Sequence, residues 1–395
     1  MILGASILQL PAIKKAIDMG LEVIAVDLNP SAVGFNVPGV IKEVISTIDI
    51  PAVLEAAKLH QINGIITLAS DMPMRCVAAV AKEYNLVGID EETALRATNK
   101  VEMRNALAKN KVPIPLFFKV SSRDDYEIVV KKIRSPFIVK PADNSGSRGI
   151  FKIDDSTDEQ TIFDAYEYSL KSSRNGDVII EEYMHGPEVS VETLSLDGVC
   201  NVIQITDKLT SGAPHFVEMG HSQPTKLNPE IVEQICEVAK AANKAIGIYN
   251  GPSHTEIIVT NEGPKIVELG ARLGGDCITT DLVPLSTGVD MVECCIKIAL
   301  GEKPDITPKW QKGSAIRYFH QHAGIIESIS GLDQAITVPG IQQISIVHGI
   351  GEKVTDVIDS ASRMGFVIAQ GENVDMAVES CNTALDLVHV RYKNA

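Results

Sequence analysis

The stretch His254-Thr255-Glu256-Ile257-Ile258-Val259-Thr260-Asn261-Glu262-Gly263-Pro264-Lys265-Ile266-Val267-Glu268-Leu269-Gly270-Ala271-Arg272 decides the fold. Two short runs rich in isoleucine and valine flank an Asn261-Glu262-Gly263-Pro264 turn, the pattern of a β-hairpin. Glu256 and Glu268 then sit on neighbouring strands, where both carboxylates can face one cleft. Like charges held together repel, so such a pair persists only with a raised pKa or with cations between the carboxylates. The pair points to Mg²⁺, which takes a few carboxylate oxygens and completes its octahedron with water and substrate phosphates.

A phosphate cradle is therefore expected upstream. Pro136-Phe137-Ile138-Val139-Lys140-Pro141 reads as a strand ending in a lysine, followed by Ala142-Asp143-Asn144-Ser145-Gly146-Ser147-Arg148-Gly149-Ile150. Glycines tolerate positive φ and close approach, so backbone N–H groups of such a loop can turn toward phosphate oxygens. The lysine precedes the glycines, which separates this loop from the GxxxxGK[ST] phosphate loop.

The chain has 395 residues, enough for two to three domains on a prior of roughly 150 residues each. Its 45% hydrophobic and 22% charged residues describe a globular protein with a large core. A formal net charge of −15 argues against nucleic acid or an anionic membrane as the main partner, while leaving room for a small basic pocket. Seven scattered cysteines form no CxxC pair, so neither a disulfide framework nor a zinc site is expected. No apolar run reaches the length of a membrane span and no basic leader precedes a cleavage site, so the expectation is a cytoplasmic protein. Met1-Ile2-Leu3 leads straight into Gly4, a first strand so short that either a missing upstream segment or a late start codon is expected.

Along the chain, helices over 11–19, 50–59 and 74–84 alternate with strands over 22–27 and 64–68, which predicts a parallel α/β sheet. Asp27 invites a dinucleotide reading, but Gly4-Ala5-Ser6-Ile7-Leu8-Gln9 lacks the G-x-G-x-x-G pattern, and a strand-capping role is preferred. A second unit starts near Asn99-Lys100, with helices over 102–110 and 159–169, strands over 177–183 and 186–192, and a helix over 229–246. Past residue 307 short strand and turn signals follow, among them Pro339-Gly340 before Ile341, Ile344 and Ile346, and then a helix over 374–388.

Lysine, glycine loop, Glu181-Glu182-Tyr183 and the two spaced glutamates arrive in an order that resembles the ATP-grasp superfamily. Met219-Gly220-His221-Ser222-Gln223-Pro224 and Glu268-Leu269-Gly270-Ala271-Arg272-Leu273-Gly274-Gly275-Asp276 look like its carboxylate-amine ligase branch. That branch includes L-amino-acid ligases and relatives of carbamoyl-phosphate synthetase and phosphoribosylglycinamide synthetase. The resemblance implies a multidomain α/β and α+β fold. Its parts would be an N-terminal parallel α/β pre-ATP-grasp domain (1–98), a two-lobed ATP-grasp domain (99–306, lobes 99–183 and 184–306) and a small C-terminal α+β domain (307–395).

The resemblance also implies site roles. Lys100 and Lys140 would contact the ATP phosphates, and Ser145, Gly146, Ser147 and Gly149 would close over the transferring phosphoryl group. Glu181, with the backbone of Glu182 and Tyr183, would edge the adenine, and Glu188 would bind ribose. Glu256 and Glu268 would hold Mg²⁺, with Mn²⁺ a possible substitute. Arg272, with Lys140 the implied catalytic pair, would neutralise acyl-phosphate oxygens. Gly274 and Gly275 would admit the carboxylate substrate, beside His221 and His254. Gly270 departs from the pattern, standing where many relatives place a metal-binding asparagine. The implied activity joins a small carboxylate to an amine through an acyl phosphate, giving ADP and phosphate, with a homodimer as the family habit. The alternatives are a phosphoribosylamine–glycine ligase and a non-catalytic ATP-binding regulator on the same frame.

Overall fold

The computed structural model describes residues 1–144, 148–212 and 216–393. The N-terminal unit is a parallel sheet of Ile2–Leu3, Val23–Val26 and Val40–Glu43, flanked by helices Leu10–Asp18, Ile50–Leu59 and Met74–Glu83. The strand expected over 64–68 is reduced to two isolated parallel bridges, Ile66 to Ile2 and Leu68 to Leu273. The second of these ties the N-terminal unit to the segment that follows the Glu268 strand.

Four antiparallel strands, in the order Phe117–Val120, Val178–Glu182, Phe137–Pro141 and Phe151–Ile153, form a small lobe. Its helices Arg123–Val130 and Glu159–Ser172 cover an independent core of Val120, Tyr126, Phe137, Val139, Tyr166 and Ile180. The larger body is an eight-stranded sheet. Its order runs Gly263–Gly270, Gly251–Thr260, Glu188–Leu196, Val199–Thr210, Glu218–Gln223, Gly313–Tyr318, Gly365–Gly371 and Ile341–Ile346. One sheet thus continues from the carboxylate hairpin into the C-terminal segment, where helix Val374–Leu387 covers it and a three-stranded sheet, Lys353–Val354, Gly324–Ser330 and His389–Lys393, adjoins.

The hairpin forms as its sequence suggests, with Glu256 and Glu268 as direct cross-strand partners. A bulge at Val267 follows, since Ile257 pairs with Ile266. Like charges directly opposite each other destabilise a sheet. Burial on the other face opposes that cost: Ile257, Ile266 and Leu269 are fully buried, each contributing about 2 kcal/mol as an upper estimate. Helix Pro229–Ile246 packs against this hairpin, started by the Asn228 side chain accepting from Ile231 N–H and ended at Gly247 with φ 105°.

Candidate active site

The small lobe, the large sheet and the N-terminal loops enclose a cavity of about 770 Å³. Lys100, Lys140, Glu181, Glu182, Tyr183, Glu188, His221, His254, Glu256, Glu268, Arg272 and Gly275 all line it. Positions separated by more than 150 residues in sequence therefore converge. Ser145, Gly146 and Ser147 lie outside the described residues.

At the small-lobe end, the Glu181 carboxylate is buried between two cations. Arg104 Nε donates to Oε1 at 2.6 Å and Lys140 Nζ pairs with Oε2 at 2.7 Å. Burial alone would raise the Glu181 carboxyl, but Arg104 and Lys140 outweigh it and hold it at about 2. Burial lowers the Lys140 ammonium, with Arg104 and Lys100 as like charges adding to the effect and Glu181 opposing it. The carboxylate expected to edge adenine is thus committed to protein cations. The N–H groups of Glu182 and Tyr183 likewise donate to the Leu116 and Pro136 carbonyls, because the chain here is still engaged in the sheet margin. The Glu182 carboxylate turns to Lys265 at 2.8 Å.

Lys100, in the first turn of helix Lys100–Lys109, bridges the lobes. Its Nζ donates to the Asn144 carbonyl at 2.6 Å and to Glu268 Oε1 at 2.8 Å. Arg104, on the same helix, reaches the carbonyl of the bulge residue Val267 at 2.7 Å. Gly149 is pressed against helix Glu159–Ser172 and does not line the cavity. Its carbonyl accepts from Ser169, and a Cβ there would come within 2.5 Å of Ser172.

At the hairpin end, Lys208 stands among three acids: 2.5 Å from Glu188, 3.0 Å from Glu256 and 3.6 Å from Glu218. Burial tends to lower this ammonium, yet the three carboxylates raise it well above the usual lysine range. Burial would raise Glu256 too, but Lys208 and His254 hold it well below the usual carboxylate range. Glu188 moves the other way, pushed up by burial and by Glu256 and Glu218 against the pull of Lys208. His254 Nδ1 donates to Glu192 Oε1 at 2.7 Å, with its far nitrogen 3.6 Å from Glu256. Burial lowers the imidazole, but Glu192 and Glu256 outweigh it and lift it to about 9.

Gly274 packs against that pair, since a Cβ would lie 2.7 Å from His254 Nδ1. His221 meets Asp276 at 3.3 Å, and Arg363 of the C-terminal segment grips both Asp276 oxygens at 2.7 and 2.8 Å while stacking 3.7 Å over Tyr318. Asp27, as the capping reading prefers, accepts from the N–H groups of Ala5 and Asn29.

The facing pair Glu256 and Glu268 offers hard oxygen donors with about a quarter of each side chain still exposed to the cavity, which suits Mg²⁺. No group of three or more His, Cys, Asp or Glu side chains that could hold a metal is present among the described residues.

Sequence reading missed Lys208, Arg104, Glu218 and Asp71. Lys208 follows Gln204 and Thr206 at alternate positions of its strand, a polar face that ordinarily faces water. Here Thr206 is fully buried because the large sheet is covered on that side.

Residues 133–281 match the model of the ATP-grasp domain, and residues 317–393 match L-amino acid ligase C-terminal domain 2. The chain carries an ATP-grasp domain. The chain is 27% identical over 317 residues to the uncharacterized protein y4rH of Sinorhizobium fredii, covering 79% of this chain and 64% of that protein. It is 25% identical over 291 residues to an L-arginine-specific L-amino acid ligase of Bacillus subtilis, covering 73% and 69%. The chain therefore spans about two thirds of the length of these curated relatives. In three dimensions it is similar to the L-amino acid ligase of Bacillus licheniformis, with a TM-score of 0.85, 23% identity, and coverage of 100% of this chain and 98% of that one. No helix among the described residues is long and apolar enough to cross a membrane.

Proposed function

We propose that this ATP-grasp chain is an ATP-dependent ligase that joins a small carboxylate, an amino acid, to an amine through an acyl phosphate, releasing ADP and phosphate. The observation that carries the proposal is Glu256 facing Glu268 across the hairpin in a cavity that Lys100, Lys140 and Arg272 also line. The similarity to L-amino acid ligases supports it.

A carboxylate is a poor acyl donor because oxide would have to leave. A carboxylate oxygen attacks the terminal phosphorus of ATP, the bond to ADP breaks, and the amine then attacks the acyl carbon while phosphate departs. Such phosphoryl transfer needs positioning and charge neutralisation rather than a nucleophilic side chain. Lys100 and Lys140 would hold ATP phosphates, Glu256 and Glu268 would hold Mg²⁺, and Arg272 would neutralise the acyl phosphate. When bound, Mg²⁺ would offset the negative charge of the phosphates and orient them. His254, kept cationic by Glu192 and Glu256, and His221 would border the acid.

The cavity lining contributed by residues 1–98 supports an unphosphorylated amine as the nucleophile. Residues 1–98 contribute Leu8, Leu28, Ile48, Asp27 and Asp71 to the cavity, and among the described residues no lysine or arginine from this unit lines it. A sugar phosphate such as that of phosphoribosylamine would meet no side-chain cation from this unit among the described residues.

A phosphate-release screen over amino acids and amines, singly and in pairs, tests the proposal. Release that requires an acid with an amine, and a product of the condensed mass, is the expected result. ATP binding with no turnover across the panel would sink it in favour of a regulator, and turnover only with a phosphorylated amine would favour the purine enzyme.

A further inference from the structure

Gly270 has neighbours that explain its lack of a side chain. A Cβ built there would come within 2.7 Å of Asp71 Oδ1 and within 3.1 and 3.2 Å of the Arg272 guanidinium. The space beside the strand is filled by the carboxylate of Asp71, which lies 201 residues before Arg272. Asp71 engages Arg272 through two bonds, Nε to Oδ1 at 2.8 Å and Nη2 to Oδ2 at 3.1 Å. Both side chains are largely buried, at 12% and 14% exposure, and both line the cavity.

The backbone holds this pair together from both sides. Leu68 bridges Leu273 in parallel, and Ala69 N–H donates to the Leu273 carbonyl at 3.2 Å. Ala69 itself adopts φ 54°, a left-handed conformation costing a residue other than glycine about 1 kcal/mol, and it opens the loop that carries Asp71. A bidentate carboxylate removes the rotational freedom of a guanidinium, which is otherwise a long and flexible group.

We propose that Asp71 is a positioning residue of the reaction, holding the Arg272 guanidinium beside the Glu268 strand from the N-terminal unit, in the room that Gly270 leaves. The role rests on the ligase reading given above. Asp71 touches no reacting atom; it sets the orientation in which Arg272 meets the developing negative charge. Glycine at 270 and aspartate at 71 form one device, since a side chain at 270 would have to displace the Asp71 carboxylate from its place beside Arg272.

The test exchanges the carboxylate between the two positions. Asp71→Ala is expected to lower kcat about 10- to 100-fold with the KM for ATP little changed, as a misplaced catalytic group does. Gly270→Asp alone should lower kcat as well, because the new side chain collides with Asp71. The double variant D71A/G270D returns a carboxylate to Arg272 from the strand side and should recover at least about 10-fold over D71A. Asp71→Asn, which is isosteric, serves if D71A fails to fold, with the same direction expected in kcat.

Wild-type kcat in D71A or D71N, or a double variant no better than D71A, would overturn the proposal. The Arg272 Nε–H resonance, assigned by its loss in Arg272→Lys, gives a readout independent of turnover. It should be protected from exchange in the wild type and lose protection in D71A or D71N. If the wild type shows no amine-dependent turnover, the ligase reading fails and Asp71 is judged by this signal alone, protection retained in the variant counting against it.

Discussion

Two charge clusters face the same cavity with opposite surpluses. At the small-lobe end, Arg104 and Lys140 share the single carboxylate of Glu181. At the hairpin end, Glu188, Glu218 and Glu256 share the single ammonium of Lys208. The first keeps an excess positive charge and suits an anion such as phosphate; the second keeps an excess negative charge and suits a cation such as Mg²⁺. Lys100, pairing with Glu268 and the Asn144 carbonyl, lies between them. An incomplete internal balance of charge thus marks which end would take which part of a metal–nucleotide complex. Burial separates the clusters too: Glu181 is almost fully enclosed, whereas the carboxylates around Lys208 keep roughly a fifth to a quarter of their side-chain surface open.

Removing a metal carboxylate should break the contrast most severely. Glu268→Ala is expected to reduce substrate-dependent ADP release by at least about 10²- to 10³-fold, measured in a coupled assay at saturating Mg²⁺. Retained turnover would strip the hairpin of its metal role.

Glu181→Gln probes the enclosed cluster. It leaves two buried cations without their carboxylate and should cost about 4 kcal/mol at neutral pH, read by denaturant unfolding. Glu181 titrates at about 2 in the folded chain against 4.5 unperturbed, so its contribution is present above about 4.5 and is lost as pH falls toward about 2. The gap between wild type and variant should close over that window. A gap that widens on acidification would show that the carboxylate is not the stabilising partner.

Lys208→Met probes the open cluster, where water and added metal can compensate. A smaller loss of about 2 kcal/mol is expected, and millimolar Mg²⁺ should restore part of it by binding the uncovered acids. The same Mg²⁺ should leave the Glu181→Gln deficit unchanged, which would sharpen the distinction between the two ends. At the far limit, Lys82→Ala breaks a surface pair with Glu91, 70% and 54% exposed, and should not move the melting temperature measurably.

Local chemistry made part of this molecule readable in advance. Helix Ile50–Leu59 and helix Pro229–Ile246 run as their sequences suggest, because a proline at the start and, in the second, an asparagine cap and a terminal glycine punctuate an apolar period. The hairpin was equally legible, since turn chemistry and pairing act between residues close in sequence, and Glu256 faces Glu268 as a consequence. The strand expected over 64–68 is less complete than its apolar run suggests: Ile65, Ile66 and Leu68 are buried there, but only two bridges form. The adenine role of Glu181 is implied by the family resemblance alone, and its partner Arg104 is 77 positions away in sequence.

The amino-acid order by itself determined the alternation of elements, the facing carboxylates and the lysine that ends its strand, all products of short-range pattern and turn geometry. Only the tertiary structure decided that Lys208 would stand among three acids, that Arg104 would claim Glu181, and that Asp71 would occupy the room beside Gly270. The Lys208–Glu188, Arg104–Glu181 and Arg272–Asp71 contacts join residues 20, 77 and 201 positions apart. A side chain's charge is written in the chain, but the sign and distance of its neighbours depend on which faces of separate elements are packed together, and Coulomb energy follows that distance.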